Sequence, residues 1–92
     1  MKIVILGAGR IGGSLARNLS NSNYEVCIVD ENKNKLSDLE DKLDIMTVEG
    51  HASKLSTLKK SGLDEETIII AVTSNDEVKL NYGRFPTYFH SD

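Results

Sequence analysis

The 92-residue sequence is short of cysteine, proline, aromatic rings and long apolar runs, and each shortage excludes something. Its single cysteine, Cys27, cannot form an internal disulfide, and its place inside an apolar run predicts a buried, inert thiol. No apolar stretch approaches the ~20 residues needed to cross a bilayer. Met1 and Lys2 lead straight into a predicted strand, which leaves no room for the three regions of a signal peptide. A cytoplasmic protein is expected. Basic charge is not in excess, since the formal net charge is −3. Nucleic acid needs a clustered basic face, so it is not an expected partner. Lys33, Lys35 and Lys42, then Lys54, Lys59 and Lys60, spread over two predicted helices and read as solvated faces. His51, His90 and Cys27 show no ligand spacing, so no metal site is expected. With 39% apolar and 27% charged residues, the composition is that of one small soluble domain.

What the chain does have is glycine in a particular place. Ile3-Val4-Ile5-Leu6 runs into Gly7-Ala8-Gly9-Arg10-Ile11-Gly12, a G-x-G-x-x-G turn after a β-branched run. In a dinucleotide-binding βαβ unit the first glycine permits the tight turn. The second lets a pyrophosphate approach the backbone, and the third lets helix and strand pack closely. Alone the motif is weak. Here Ile11, Leu15, Ala16 and Leu19 follow it at helical spacing, and a second apolar run, Val26-Cys27-Ile28-Val29, ends in Asp30. Asp30 falls 18 positions after Gly12, close to the roughly 20-residue offset of a ribose-binding carboxylate. The plainer alternative is a βαβ unit whose glycines only pack and whose Asp30 only caps a loop.

Strand and helix patterns then alternate. Lys2–Leu6 reads as a first strand and Arg10–Ser20 as a helix, with a turn at Asn21-Ser22-Asn23. Glu25–Asp30 reads as a second strand, and Asn32 as the cap of a helix with the stripe Leu36, Leu39 and Leu43. Residues 45–49 and 67–73 read as further strands. Between them Ser53 starts a helix carrying Leu55 and Leu58, which Gly62 stops. Ser74, Asn75 and Asp76 offer a cap for a fourth helix. This alternation predicts an α/β fold: a Rossmann-like, doubly wound parallel sheet of order 3-2-1-4, truncated after the fourth strand. Residues 1–81 form that domain. Residues 82–92 hold Tyr82, Phe85, Pro86, Tyr88 and Phe89, lack helical periodicity and read as an atypical tail. Its aromatics either cover the open sheet edge or pack on another copy.

The order predicts that residues 7–12, Asp30, residues 50–53 and residues 73–76 share the carboxyl edge of the sheet. There Asp30 is expected to accept the ribose hydroxyls, and its charge, with that of Glu31, disfavours a 2′-phosphate. Arg10 either pairs with a phosphate, reaches a neighbouring chain, or faces solvent at the helix start. His51 either lines an adenine pocket or is a hydrogen-bonded loop residue. Thr73 and Ser74 either donate to the ligand or begin the loop and cap the next helix.

Together, Met1 to Gly12, Ile28-Val29-Asp30, Gly50-His51-Ala52-Ser53 and Ala71-Val72-Thr73-Ser74-Asn75-Asp76-Glu77 resemble the N-terminal domain of the TrkA family of potassium-uptake regulators, the RCK or KTN family. The resemblance extends to about Leu80. Lys79 stands where the family often has asparagine. The resemblance implies a module that binds NAD or NADH, or in relatives ATP or ADP, and performs no chemistry. It implies a membrane potassium transporter or channel as partner, met at the inner face of the cell membrane. By the same resemblance Gly7, Gly9, Arg10, Ile11 and Gly12 hold the phosphates and Asp30 the ribose. Gly50, His51 and Ala52 lie beside the adenine, and Thr73, Ser74 and Asn75 lie near the other end of the ligand. An open sheet edge also predicts a homodimer or larger homo-oligomer. The competing reading is the cofactor-binding half of an NAD-dependent oxidoreductase. Against it, 92 residues leave no room for a substrate domain, and no polar triad appears.

Overall fold

A computed structural model describes residues 1–51, 62 and 66–72 and the backbone of residues 87–89. Strand β1 spans Lys2–Leu6, helix α1 Arg10–Ser20, β2 Glu25–Asp30, α2 Lys33–Lys42, β3 Met46–Glu49, β4 Ile68–Ala71 and β5 Thr87–Phe89. All neighbouring strands are parallel, in the order β3-β2-β1-β4-β5. The 3-2-1-4 arrangement of a doubly wound α/β fold is therefore present.

Its truncation after four strands is corrected. Thr87, Tyr88 and Phe89 pair in parallel with Ile69, Ile70 and Ala71, so part of the tail closes the edge beyond β4. Three residues are too few to show a period in sequence. Their β-branched and aromatic character suits a strand all the same. The expected helices after Ser53 and Ser74 lie outside the described residues. Gly62 has φ +74°, a left-handed conformation that favours glycine.

Residues 3–6 of β1 and 26–29 of β2 are apolar and buried because both faces of the sheet are covered there. Ile3, Ile5, Val26 and Ile28 turn to one face, where they pack with Ala16 of α1 and Leu36 of α2. Val4, Leu6, Cys27 and Val29 turn to the other, with Val48, Ile69 and Ala71. Period-two alternation of side chains in a strand produces this division.

Local chemistry sets the ends of the elements. Asn23, at φ 67°, reverses the chain between α1 and β2. The Asn32 side chain accepts from the N–H groups of Asn34 (3.0 Å) and Lys35 (3.2 Å) and so caps α2. Cys27 is fully buried, as expected of a core thiol. Among the described residues no helix is long and apolar enough to cross a membrane.

Candidate functional site

The loop from β1 to α1 is held by its own backbone. Gly7 N–H donates to Val29 O at 2.7 Å, which ties the turn to the end of β2. Gly7 has φ +116°, and a Cβ there would stand 3.1 Å from both the carbonyl oxygen and a methyl group of Val72. Only glycine meets both demands. Gly12 is tighter still. A Cβ at Gly12 would overlap the carbonyl oxygen of Gly7, so helix and turn touch backbone to backbone. These are the turn and packing roles that the motif predicts for its first and third glycines.

Gly9 is the N-cap of α1, with φ −75° and ψ −162° and no side-chain cap. The first helical N–H to find a carbonyl is that of Gly13, which donates to Gly9 O at 2.8 Å. The N–H groups of Arg10, Ile11 and Gly12 precede it and have no carbonyl four residues back within the helix. They form an anion-attracting end at the positive pole of the helix dipole.

Asp30 closes the site from the β2 side. Its Oδ2 accepts from Ala8 N–H at 2.7 Å, and its Oδ1 accepts from Asn32 N–H at 2.7 Å. Its carbonyl oxygen also accepts from Gly50 N–H at 3.0 Å. One half-buried residue thus ties together the loops after β1, β2 and β3. The loop-capping and ligand-facing alternatives are not exclusive. Each carboxylate oxygen has two lone pairs, and one per oxygen remains for a pair of hydroxyls.

Parallel pairing of Asp30 with Glu49 puts the residues that follow side by side. His51 Nε2 stands 3.7 Å from Glu31 Oε1, with side chains 38% and 68% exposed. Sequence reading named both residues but not this pairing, which the strand register makes. Arg10 is exposed at the start of α1. It lines a cleft of about 370 Å³ between α1 and α2, together with Ser14, Arg17, Lys35 and Asp38. By sequence pattern Lys35 belongs to a solvated face, and Arg17 carries no signal of its own. Their convergence depends on how two helices pack, and helical spacing alone does not give that. Ala52, Thr73, Ser74 and Asn75 lie outside the described residues.

A family model described as the TrkA-N domain matches residues 3–83. The chain belongs to the TrkA-N domain family. It is 45% identical over 80 residues to the Trk system potassium uptake protein TrkA of Vibrio alginolyticus, covering 87% of this chain and 18% of that protein. It is 35% identical over 83 residues to a TrkA homolog of Archaeoglobus fulgidus, covering 90% of this chain and 19% of that protein. The chain therefore spans about a fifth of the length of these relatives. Among solved structures, the TrkA-N domain of the Escherichia coli inner membrane protein ybaL superposes with a TM-score of 0.80 over 96% of this chain and 70% of that one. At 16% identity this likeness concerns the TrkA-N fold alone.

Proposed function

We propose that this TrkA-N domain is a regulatory module. It binds NAD or NADH at the carboxyl edge of its sheet and passes the state of that site to a membrane potassium transporter or channel, without catalysing a reaction. The observation that carries this reading is the Asp30 carboxylate bonded to the glycine-rich turn, beside the first amides of α1, which the helix leaves without carbonyl partners. A dinucleotide presents the two groups that this arrangement suits. Its pyrophosphate fits the N–H groups of residues 10–12, and its adenosine ribose fits the remaining lone pairs of Asp30.

Gly7 and Gly12 keep side chains out of the cradle, and Gly9 leaves the helix start open to a phosphate. Glu31 stands next to Asp30, and two carboxylates disfavour a 2′-phosphate, so NAD is preferred over NADP. Gly50, His51 and Ala52 would border the adenine, and Thr73, Ser74 and Asn75 the far end of the ligand. ATP or ADP can use the same amides and the same carboxylate. When bound, a nicotinamide nucleotide can supply hydride chemistry. Relatives named for potassium uptake support the regulatory role. On this reading residues 1–81 are the nucleotide domain, the protein sits in the cytoplasm at the membrane's inner face, and it assembles as a homodimer or larger homo-oligomer.

Fluorescence titration of NADH against the wild type and Asp30→Asn tests the assignment. An amide oxygen can still accept, but an NH2 group cannot, so the variant loses one acceptor atom and the negative charge. NADH affinity should fall about tenfold or more, by loss of a charge-assisted bond. Equal affinity for both proteins would remove Asp30 from the site. Steady consumption of NADH with a carbonyl substrate would overturn the regulatory reading.

A further inference from the structure

Beside the nucleotide cradle lies a second feature that the proposed function does not use. Arg10, Ser14 and Arg17 fall at four- and three-residue spacing, on one face of α1. They look across a cleft of about 370 Å³ at Lys35 and Asp38 of α2, and Ala8 and Gly9 form its upper end. Gly13 helps the helices approach, since even a Cβ there would already touch Leu39 at 3.7 Å. Among the described residues, none of the three cationic side chains is ion-paired. Three cations against one carboxylate leave two net positive charges on the walls. Both helices also turn their positive dipole ends toward the same edge of the sheet. Two other clefts among the described residues differ. One between β2 and β3 sets Lys2 against Glu25 and Asp44, and another beside β3 sets Lys33 against Glu40 and Glu49.

We propose that the α1–α2 cleft is an anion site for a phosphate dianion, with Arg17 and Lys35 as its principal cations and Arg10 shared with the neighbouring turn. Its net charge of two matches that of the ligand. The dianion is free inorganic phosphate. Asp38 weakens binding by like-charge repulsion. Because the walls are exposed, affinity falls as salt rises.

Calorimetric titration of the full chain with inorganic phosphate, at constant low ionic strength, tests this site. The wild type should saturate, and the double variant Arg17→Ala, Lys35→Ala should bind about tenfold more weakly, the size expected for two exposed charge contacts. Asp38→Asn should bind several-fold more tightly. All three side chains are solvent-facing, so unchanged melting temperatures will show that the variants fold. NADH affinity should stay within about twofold, because neither cation belongs to the dinucleotide cradle. ATP affinity should likewise stay within about twofold, and a larger loss for ATP than for inorganic phosphate overturns the free-ion assignment. Absence of phosphate binding, or phosphate binding indifferent to all three substitutions, overturns the proposal even where NADH binds. Phosphate binding without NADH binding leaves this site standing and removes the nucleotide reading instead.

Discussion

At the scale of single residues, two adjacent glycines in α1 are expected to behave oppositely. Gly12→Ala would drive a methyl group into the Gly7 carbonyl, and neither backbone can yield without deforming the turn. Its cost should be about 3 kcal/mol, at the upper end of overpacking effects, read as a lowered midpoint in urea unfolding. Gly13→Ala meets only Leu39 at ordinary contact distance. It should stabilise the protein by up to about 1 kcal/mol, since alanine favours the helix. Cys27 supplies a pH test. Burial pushes its thiol up to about 11 from 9.0, with a smaller opposing pull from the Lys2 ammonium. The thiol therefore ionises more easily in the unfolded chain than in the folded one. Its contribution to stability is complete below about pH 9 and is lost as pH rises toward 11. Iodoacetamide at pH 8 should leave Cys27 unmodified in the native protein and alkylate it in urea. Alkylation at equal rates in both would place the thiol at the surface.

At the scale of elements, the amino-terminal half was legible because each boundary has a local chemical cause. Gly7 and Gly9 end β1 and open α1, and Asn32 caps α2 with its own side chain. Asn32→Ala should cost about 1 kcal/mol in thermal unfolding, the usual value of an asparagine cap. β3 begins at Met46, one residue later than the apolar pattern predicts, and β4 is confined to Ile68–Ala71. Apolar character continues past the paired residues, as buried Val72 shows, so hydropathy overstates a strand's length. β5 was not legible. Three residues carry no period, and pairing with β4 is a long-range event that only the completed sheet offers. The site divides along the same line. Asp30 and the glycines announce themselves by spacing within one βαβ unit. Glu31 meets His51 only through the β2–β3 register, and Arg17 meets Lys35 only through helix packing.

At the scale of the whole molecule, a 92-residue chain buries a limited core, so ligand binding should be a large part of its stability. NADH at a hundredfold excess over its dissociation constant contributes about 2.7 kcal/mol, enough to raise the melting temperature on the order of 10 °C in a domain this small. The parallel order places the loops after β1, β2 and β3 at one edge, and the bonds from Asp30 fasten them into one unit. A ligand that engages Asp30 would touch three connections at once, which suits the regulatory change of shape proposed above. The relatives named for potassium uptake are about five times longer, so the receiver of that change is sought outside this chain. The most direct test of the nucleotide site is an amide NMR titration of the full chain with NADH. Saturable shifts should concentrate at residues 8–12, Asp30 and Asn32. Shifts confined to other surfaces, or none at millimolar NADH, ATP and ADP, would contradict a nucleotide held by that carboxylate and those amides.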